Sequence, residues 1–205
     1  MKGLMKFKKL FVFVILTAFS LGVVSCGDDG DNGAGKPTDA IKGNYAGKMV
    51  TSSVNPQDGN RDNETPGVDV TAKVDNEYIS FEDFPIRDIV VSIAGGDKAD
   101  EIINIVGKIS YKIPYKATIN EAKDIISFTM TPEPLHLEVT IPGNSVEENK
   151  TLNIDVEITT AENGNYDVKT TDIKFSITAT KILVDDEELT GFTATSFGFQ
   201  MAKAK

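Results

Sequence analysis

From Ile41 onward the apolar positions recur mainly with a period of two. Ile109, Tyr111, Ile113, Tyr115, Ala117 and Ile119 alternate with Ser110, Lys112, Pro114, Lys116 and Thr118. That pattern predicts a long strand with one buried and one wet face. Leu135, Leu137, Val139 and Ile141 alternate with His136, Glu138 and Thr140, and Leu152, Ile154, Val156 and Ile158 alternate with Asn153, Asp155, Glu157 and Thr159. Ile173, Phe175, Ile177 and Ala179 mark a further strand, and Ile126, Phe128 and Met130 a shorter one. Pro114 lacks the donor a ladder needs, which predicts an edge or a bulge there. Near the C-terminus the apolar phase slips from Phe192 and Ala194 to Phe197, Phe199 and Met201, which predicts a β-bulge near Ser196.

Turn chemistry divides these strands. Asp75-Asn76 separates Val68 to Val74 from Ile79 and Phe81, and Asn163-Gly164 separates the strand ending near Thr159 from the one entered at Tyr166. Both read as hairpin connections, because Asn and Gly tolerate positive φ. Asp185-Asp186 is a third turn. One stretch changes period. Ile86, Ile89, Val90 and Ile93 follow Pro85 at helical spacing, and Ala99, Ile102, Ile103 and Val106 repeat it between Asp97, a candidate N-cap, and Gly107. These predict two short helices near residues 85–94 and 98–106, although a buried strand over Ile89 to Ile93 stays open. The chain is therefore expected to be mainly β, an antiparallel β-barrel or two-sheet sandwich of about nine or ten strands over residues 41–205, since closure or sheet pairing is what blunts exposed edges.

The N-terminal residues follow another logic. Lys2, Lys6, Lys8 and Lys9 precede an apolar run from Leu10 to Val24, and Val23-Val24-Ser25-Cys26 follows. The run is short of the about 20 residues a spanning helix takes, and reads as a signal peptide over residues 1–25. The ending resembles a bacterial lipobox, which implies cleavage before Cys26 and lipidation of its sulfur. Cys26 is the single cysteine of the chain, so no intramolecular disulfide competes for it. Residues 26–40, beginning Gly27-Asp28-Asp29-Gly30-Asp31, hold too little apolar surface to order themselves and are expected to be a flexible acidic tether. Acidic residues behind the lipidated cysteine resemble the export signal of Bacteroidetes lipoproteins. The implied address is the outer membrane, on its periplasmic or surface-exposed face, with the lipid anchor as the membrane contact.

Charge narrows the partners further. The formal net charge is −10, and nucleic-acid affinity rests on clustered Lys and Arg releasing counterions. No nucleic-acid partner is expected, and the acidity serves solubility.

Candidate chemistry is sparse. His136 is the sole histidine, and its phase puts it on the polar face beside Glu138, so no histidine-assisted nucleophile is expected. One His and one lipidated Cys cannot supply a zinc site. Asp58, Asn60, Asp62 and Asp69 echo the oxygen spacing of a calcium loop, with Asn63 in place of the turn glycine, Asp69 in place of the bidentate Glu, and Pro66 interrupting. A plain surface loop explains the stretch better, and Asp185-Asp186-Glu187-Glu188 reads as a solvated turn. Neither a metal nor a cofactor is expected. Glycan binding usually uses aromatic platforms; the chain has no Trp, and Tyr111 and Tyr115 fall on the buried phase, leaving Tyr45, Tyr78 and Tyr166.

The lipobox, the Gly-Asp tether and the strand Gly43-Asn44-Tyr45-Ala46-Gly47-Lys48 together resemble Bacteroidetes lipoproteins grouped in a domain-of-unknown-function family. The Gly-x-Tyr-x-Gly opening is also similar to calycin or lipocalin-like barrels, whose first strand carries Gly-x-Trp; Tyr45 stands in place of that Trp. Two functions of different class are in view. One is a non-enzymatic binding module holding a small apolar ligand inside the barrel or a surface partner against its loops. The other is a carboxylate-dependent hydrolase acting on extracellular glycans, which needs two carboxylates about 5–10 Å apart.

Overall fold

The period-two segments become strands, and their long-range pairing decides the architecture. A computed structural model describes residues 36–53, 67–141 and 150–204. The strands are β1 (Gly43–Ser53), β2 (Val68–Val74), β3 (Tyr78–Phe81), β4 (Tyr111–Ile119), β5 (Ile125–Met130), β6 (Leu135–Ile141), β7 (Lys150–Thr159), β8 (Gly164–Asp167), β9 (Asp172–Val184), β10 (Glu187–Glu188) and β11 (Thr195–Lys203). The helices are α1 (Pro37–Ile41), α2 (Arg87–Ala94) and α3 (Gly96–Val106).

β1, β2, β3, β4, β5, β8, β9 and β11 pair antiparallel in that order. β11 then returns to β1, with Tyr45 opposite Lys203 and Ser53 opposite Thr195, while its other edge holds β9. The ring is closed, so the fold is an eight-stranded barrel rather than a sandwich. Closure removes the free edges that an open sheet would present.

Beyond Ala179, β9 leaves the ring and carries an extension. β7 pairs with its second half and β6 pairs with β7, while β10 lies on the other edge. β7 and β8 occupy the same edge of β9 in tandem and run in the same direction, with Thr159 opposite Thr178 and Asn165 opposite Lys174. Asn163-Gly164 is therefore not the hairpin that its turn chemistry suggested. Gly164 belongs to β8 opposite Phe128, and a Cβ on it would lie 2.1 Å from that ring. Its hydrogen side chain makes room for an aromatic, which a turn signal cannot be told from in sequence.

Other expectations are met or corrected by the register. Asp75 closes the β2–β3 hairpin by accepting the backbone N–H of Glu77 and Tyr78 at 2.9 and 2.8 Å. Asp185 and Asp186 turn the chain at φ 51° and 68°, as a tight hairpin requires. Both helices form, each followed by a glycine of positive φ, Gly95 at 80° and Gly107 at 69°. α3 starts at Gly96, so Asp97 sits in its first turn instead of capping it. α1 takes up the last four residues of the segment expected to be tether and ends on Ile41, which is buried.

Pro114 is in a ring strand and not at an edge. It lies opposite Tyr78 of β3, and its carbonyl accepts Thr131 N–H just past the end of β5. Both main-chain groups of a strand residue point the same way, so the missing donor faces the place where the β5 ladder has stopped. β11 runs without a register break, which removes the bulge expected near Ser196; Phe192 and Ala194 precede the strand. The bulge falls on β9 at Thr180, which has no partner between the pairs Glu157–Lys181 and Ile158–Ala179. It restores Ile182 to the buried face.

The inward phase of the ring is full. Phe175 and Phe199 stack with centroids 4.7 Å apart, and Phe81 lies 5.2 Å from Phe199. Phe84, which precedes α2, packs 5.1 Å from Tyr111 and 6.1 Å from Phe197. Phe128 joins Phe175 to Tyr115 at 6.1 and 5.8 Å. Aromatic pairs at these separations contribute about 0.5–1.5 kcal/mol beyond their area. The expectation of a ligand inside the barrel thus meets a packed interior.

Tyrosine hydroxyls tie the core to its rim. Tyr45 donates to the Ile41 carbonyl at 2.7 Å, Tyr115 to the Asp75 carbonyl at 2.5 Å, and Tyr111 to the Glu133 carbonyl at 2.6 Å. Burial, reinforced by the Asp75 charge, pushes the Tyr115 phenol up to about 12. Tyr45 and Tyr111 are raised as well, chiefly by burial. Tyr45 and Tyr166, which sequence left available for ligand contact, are both buried. Tyr78 remains partly exposed, with the Lys112 ammonium 5.9 Å from its ring centroid.

Candidate functional site

The sequence-derived site residues do not assemble. Cys26 and the calcium-loop positions Asp58, Asn60 and Asp62 lie outside the described residues. Asp69 is exposed on β2 and pairs with Lys48 across to β1 at 2.7 Å. His136 is on the outer face of β6, as its phase predicts, and contacts the Asp155 carboxylate directly across on β7. Glu138 shares that strand and lies opposite Asn153. No carboxylate among the described residues is buried, so the hydrolase reading gains no geometry in its favour.

Two concavities of the described surface bear on binding. The larger, about 740 Å³, lies on the outer wall of β1, β9 and β11. Lys48, Ser52, Lys174, Ser176, Gly198 and Gln200 line it, all from the outward phase. It is a wide depression of mixed polar and apolar lining, open to water.

The smaller, about 530 Å³, is apolar and lies between the helical pair and the β6–β7 extension. Its floor is two neighbouring rungs of the sheet. Leu137 opposes Ile154, and Val139 opposes Leu152. Strand alternation puts all four on the face opposite His136, and Leu137, Val139 and Ile154 are buried. Its roof comes from the apolar stripes of the helices, Val90 and Ile93 from α2 and Ile102, Ile105 and Val106 from α3. Arg87 and Asp100 pair across the two helices and hold them together.

The helices are fastened unequally. Ile89 and Val90 anchor α2 in the core. On α3, Ala99 alone is fully buried; Ile102, Ile103 and Val106 are half-buried, and Ile105 is 41% exposed. α3 therefore leans over the sheet without filling the space beneath it. Such a gap is unusual in a protein interior, where side chains interdigitate to crystal-like density. Glu101 is the one charged group lining the groove.

Sequence reasoning identified these strands and helices but not their convergence. The usable signal was the pair of apolar helical stripes placed between β3 and β4, since a barrel with its own complete interior has no need of them.

The fold and groove define a class: a closed eight-stranded antiparallel barrel with a helix-covered sheet extension. The chain belongs to the family described as domain of unknown function DUF4840, whose profile matches residues 40–184. No curated protein and no solved structure matches it. The family match ends before β11, the strand that closes the ring.

Proposed function

We propose that this chain is a lipid-anchored, non-enzymatic binding protein of a Bacteroidetes-type outer membrane, and that it holds an apolar ligand in the groove between α2–α3 and β6–β7. The observation that carries the reading is the groove itself. Its volume of about 530 Å³ lies within the roughly 300–1,000 Å³ usual for small-molecule sites, which are mostly apolar with few polar groups. The aromatic filling of the barrel favours this groove over the barrel interior as the apolar site.

The address supports the ligand class. Lys2 to Lys9, the run Leu10 to Val24 and Ser25-Cys26 support processing to a lipidated Cys26. Each buried CH₂ of an acyl chain contributes ~0.8 kcal/mol, so two or three chains hold a protein firmly at the bilayer. A domain kept there is next to a reservoir of apolar chains.

Two measurements test the two parts. Cys26→Ser should release the protein from the membrane fraction, and a variant that stays membrane-bound would end the anchoring. Purified protein should bind the neutral apolar dye Nile red, and dodecanol should displace it. Absence of any dye binding would overturn the ligand reading.

A further inference from the structure

We infer that the groove selects apolar chains whose polar end is a hydrogen-bond donor, an ammonium foremost, and rejects chains ending in a carboxylate. The inference rests on the ligand reading above and adds the head-group chemistry. Glu101 lines the groove and is its one charged lining residue. It is an exposed side chain on α3, with its carboxylate at the edge of the apolar lining. With Asp97 and Asp100 it makes three carboxylates on α3, against the single lysine Lys98. Asp100 is engaged by Arg87, and of these carboxylates Glu101 is the one that lines the groove.

The rest of the lining cannot solvate a head group. Leu137, Val139, Leu152 and Ile154 form the floor, and Ile102 and Ile105 the roof. Lys150 shares the face of Leu152 on β7, one rung further along, but does not line the groove. A chain seated on the apolar floor with its end at Glu101 therefore meets an acceptor that carries negative charge. An ammonium or hydroxyl donates to it, whereas a carboxylate has neither a proton to give nor a cation to meet. Like charges brought together at a protein surface repel, so the preference between heads should be about tenfold.

The test is displacement of Nile red by three probes of equal chain length, dodecylammonium, dodecanol and dodecanoate, on the native sequence, Glu101→Gln and Lys150→Gln. The expected order of affinity is dodecylammonium, dodecanol, dodecanoate, with about a tenfold gap between first and last. Glu101→Gln should collapse that gap, weakening dodecylammonium most and dodecanol less, while Lys150→Gln leaves the order intact. Equal displacement by all three probes overturns the head-group inference while the ligand reading stands. Dodecanoate binding tightest has the same result, as does a gap that survives Glu101→Gln or tracks Lys150 instead. If no probe displaces the dye, the ligand reading falls and takes the inference with it. Thermal melts of both variants matching the native protein would show that they fold, and both positions are exposed.

Discussion

The barrel and its extension are built from the same residue types but finished differently. In the ring, the inward side chains Phe81, Phe128, Phe175, Phe197 and Phe199, with Phe84 from the segment after β3, form one connected aromatic cluster. Under α3, the aliphatic side chains of two layers face each other and stop short, leaving Ile105 41% exposed above an apolar space. A closed ring has a fixed circumference that large aromatics can fill, whereas a helix resting on one sheet face has no opposite wall to set its height. On the binding reading proposed above, stability and binding fall to different parts: the ring supplies the first, and the loosely seated helix the second.

Four perturbations would break or sharpen this contrast. Truncation after Val184 has the largest expected effect, because it removes β11 and opens the edges of β1 and β9. The shortened chain should show no cooperative thermal unfolding, although it retains the residues matched by the family profile. Phe199→Ala comes next, since Phe199 stacks on Phe175 and borders Phe81 and Phe84. It should cost about 3–5 kcal/mol in urea denaturation, as other core Phe truncations do. Such a loss would mark the ring as the stable unit.

Alkaline pH should act on the ring more mildly. The Tyr115 phenol is raised from 10.0 to about 12 by burial and Asp75. A group whose folded pKa lies above its unfolded value contributes stability in full below the unfolded value, and that contribution is lost as pH rises through the folded one. Stability should therefore decline between about pH 10 and 12, with tyrosinate absorbance and unfolding rising together. A flat profile across that window would mean that the phenols are not buried as described. Ile105→Ser should have the smallest effect on folding, within about 1 kcal/mol for an exposed position, yet weaken Nile red binding severalfold. If it changes stability strongly and binding not at all, α3 is packing and not a lid over a site.

Much of the fold was legible in the residues. Alternation located the long strands, and the spacing of Ile86 to Val106 located both helices, because burial on one face leaves a local trace. The choice between barrel and sandwich left none, since closure depends on β11 meeting β1 across nearly the whole described chain. Gly164 and Phe192 misled for a related reason. A glycine under a ring and a glycine in a turn are the same letter, and a parity change at Phe192 marks a strand start as readily as a bulge. The groove was illegible because its floor and roof are separate elements whose apolar faces each read as ordinary core. Among the polar candidates that are described, His136 lies on the outer face as its phase predicts, but its contact is Asp155 on the next strand and not Glu138, a cross-strand pairing that alternation alone does not reveal.

The central claim is that apolar ligands enter the groove and not the ring. Methyl-labelled protein titrated with dodecanol and followed by nuclear magnetic resonance tests it residue by residue. Perturbations should concentrate on Ile102, Ile105, Leu137, Val139 and Leu152, while Ile79, Ile113, Ile126 and Ile177, buried in the ring, stay unmoved. Shifts centred on those ring methyls, with the groove silent, would contradict the account.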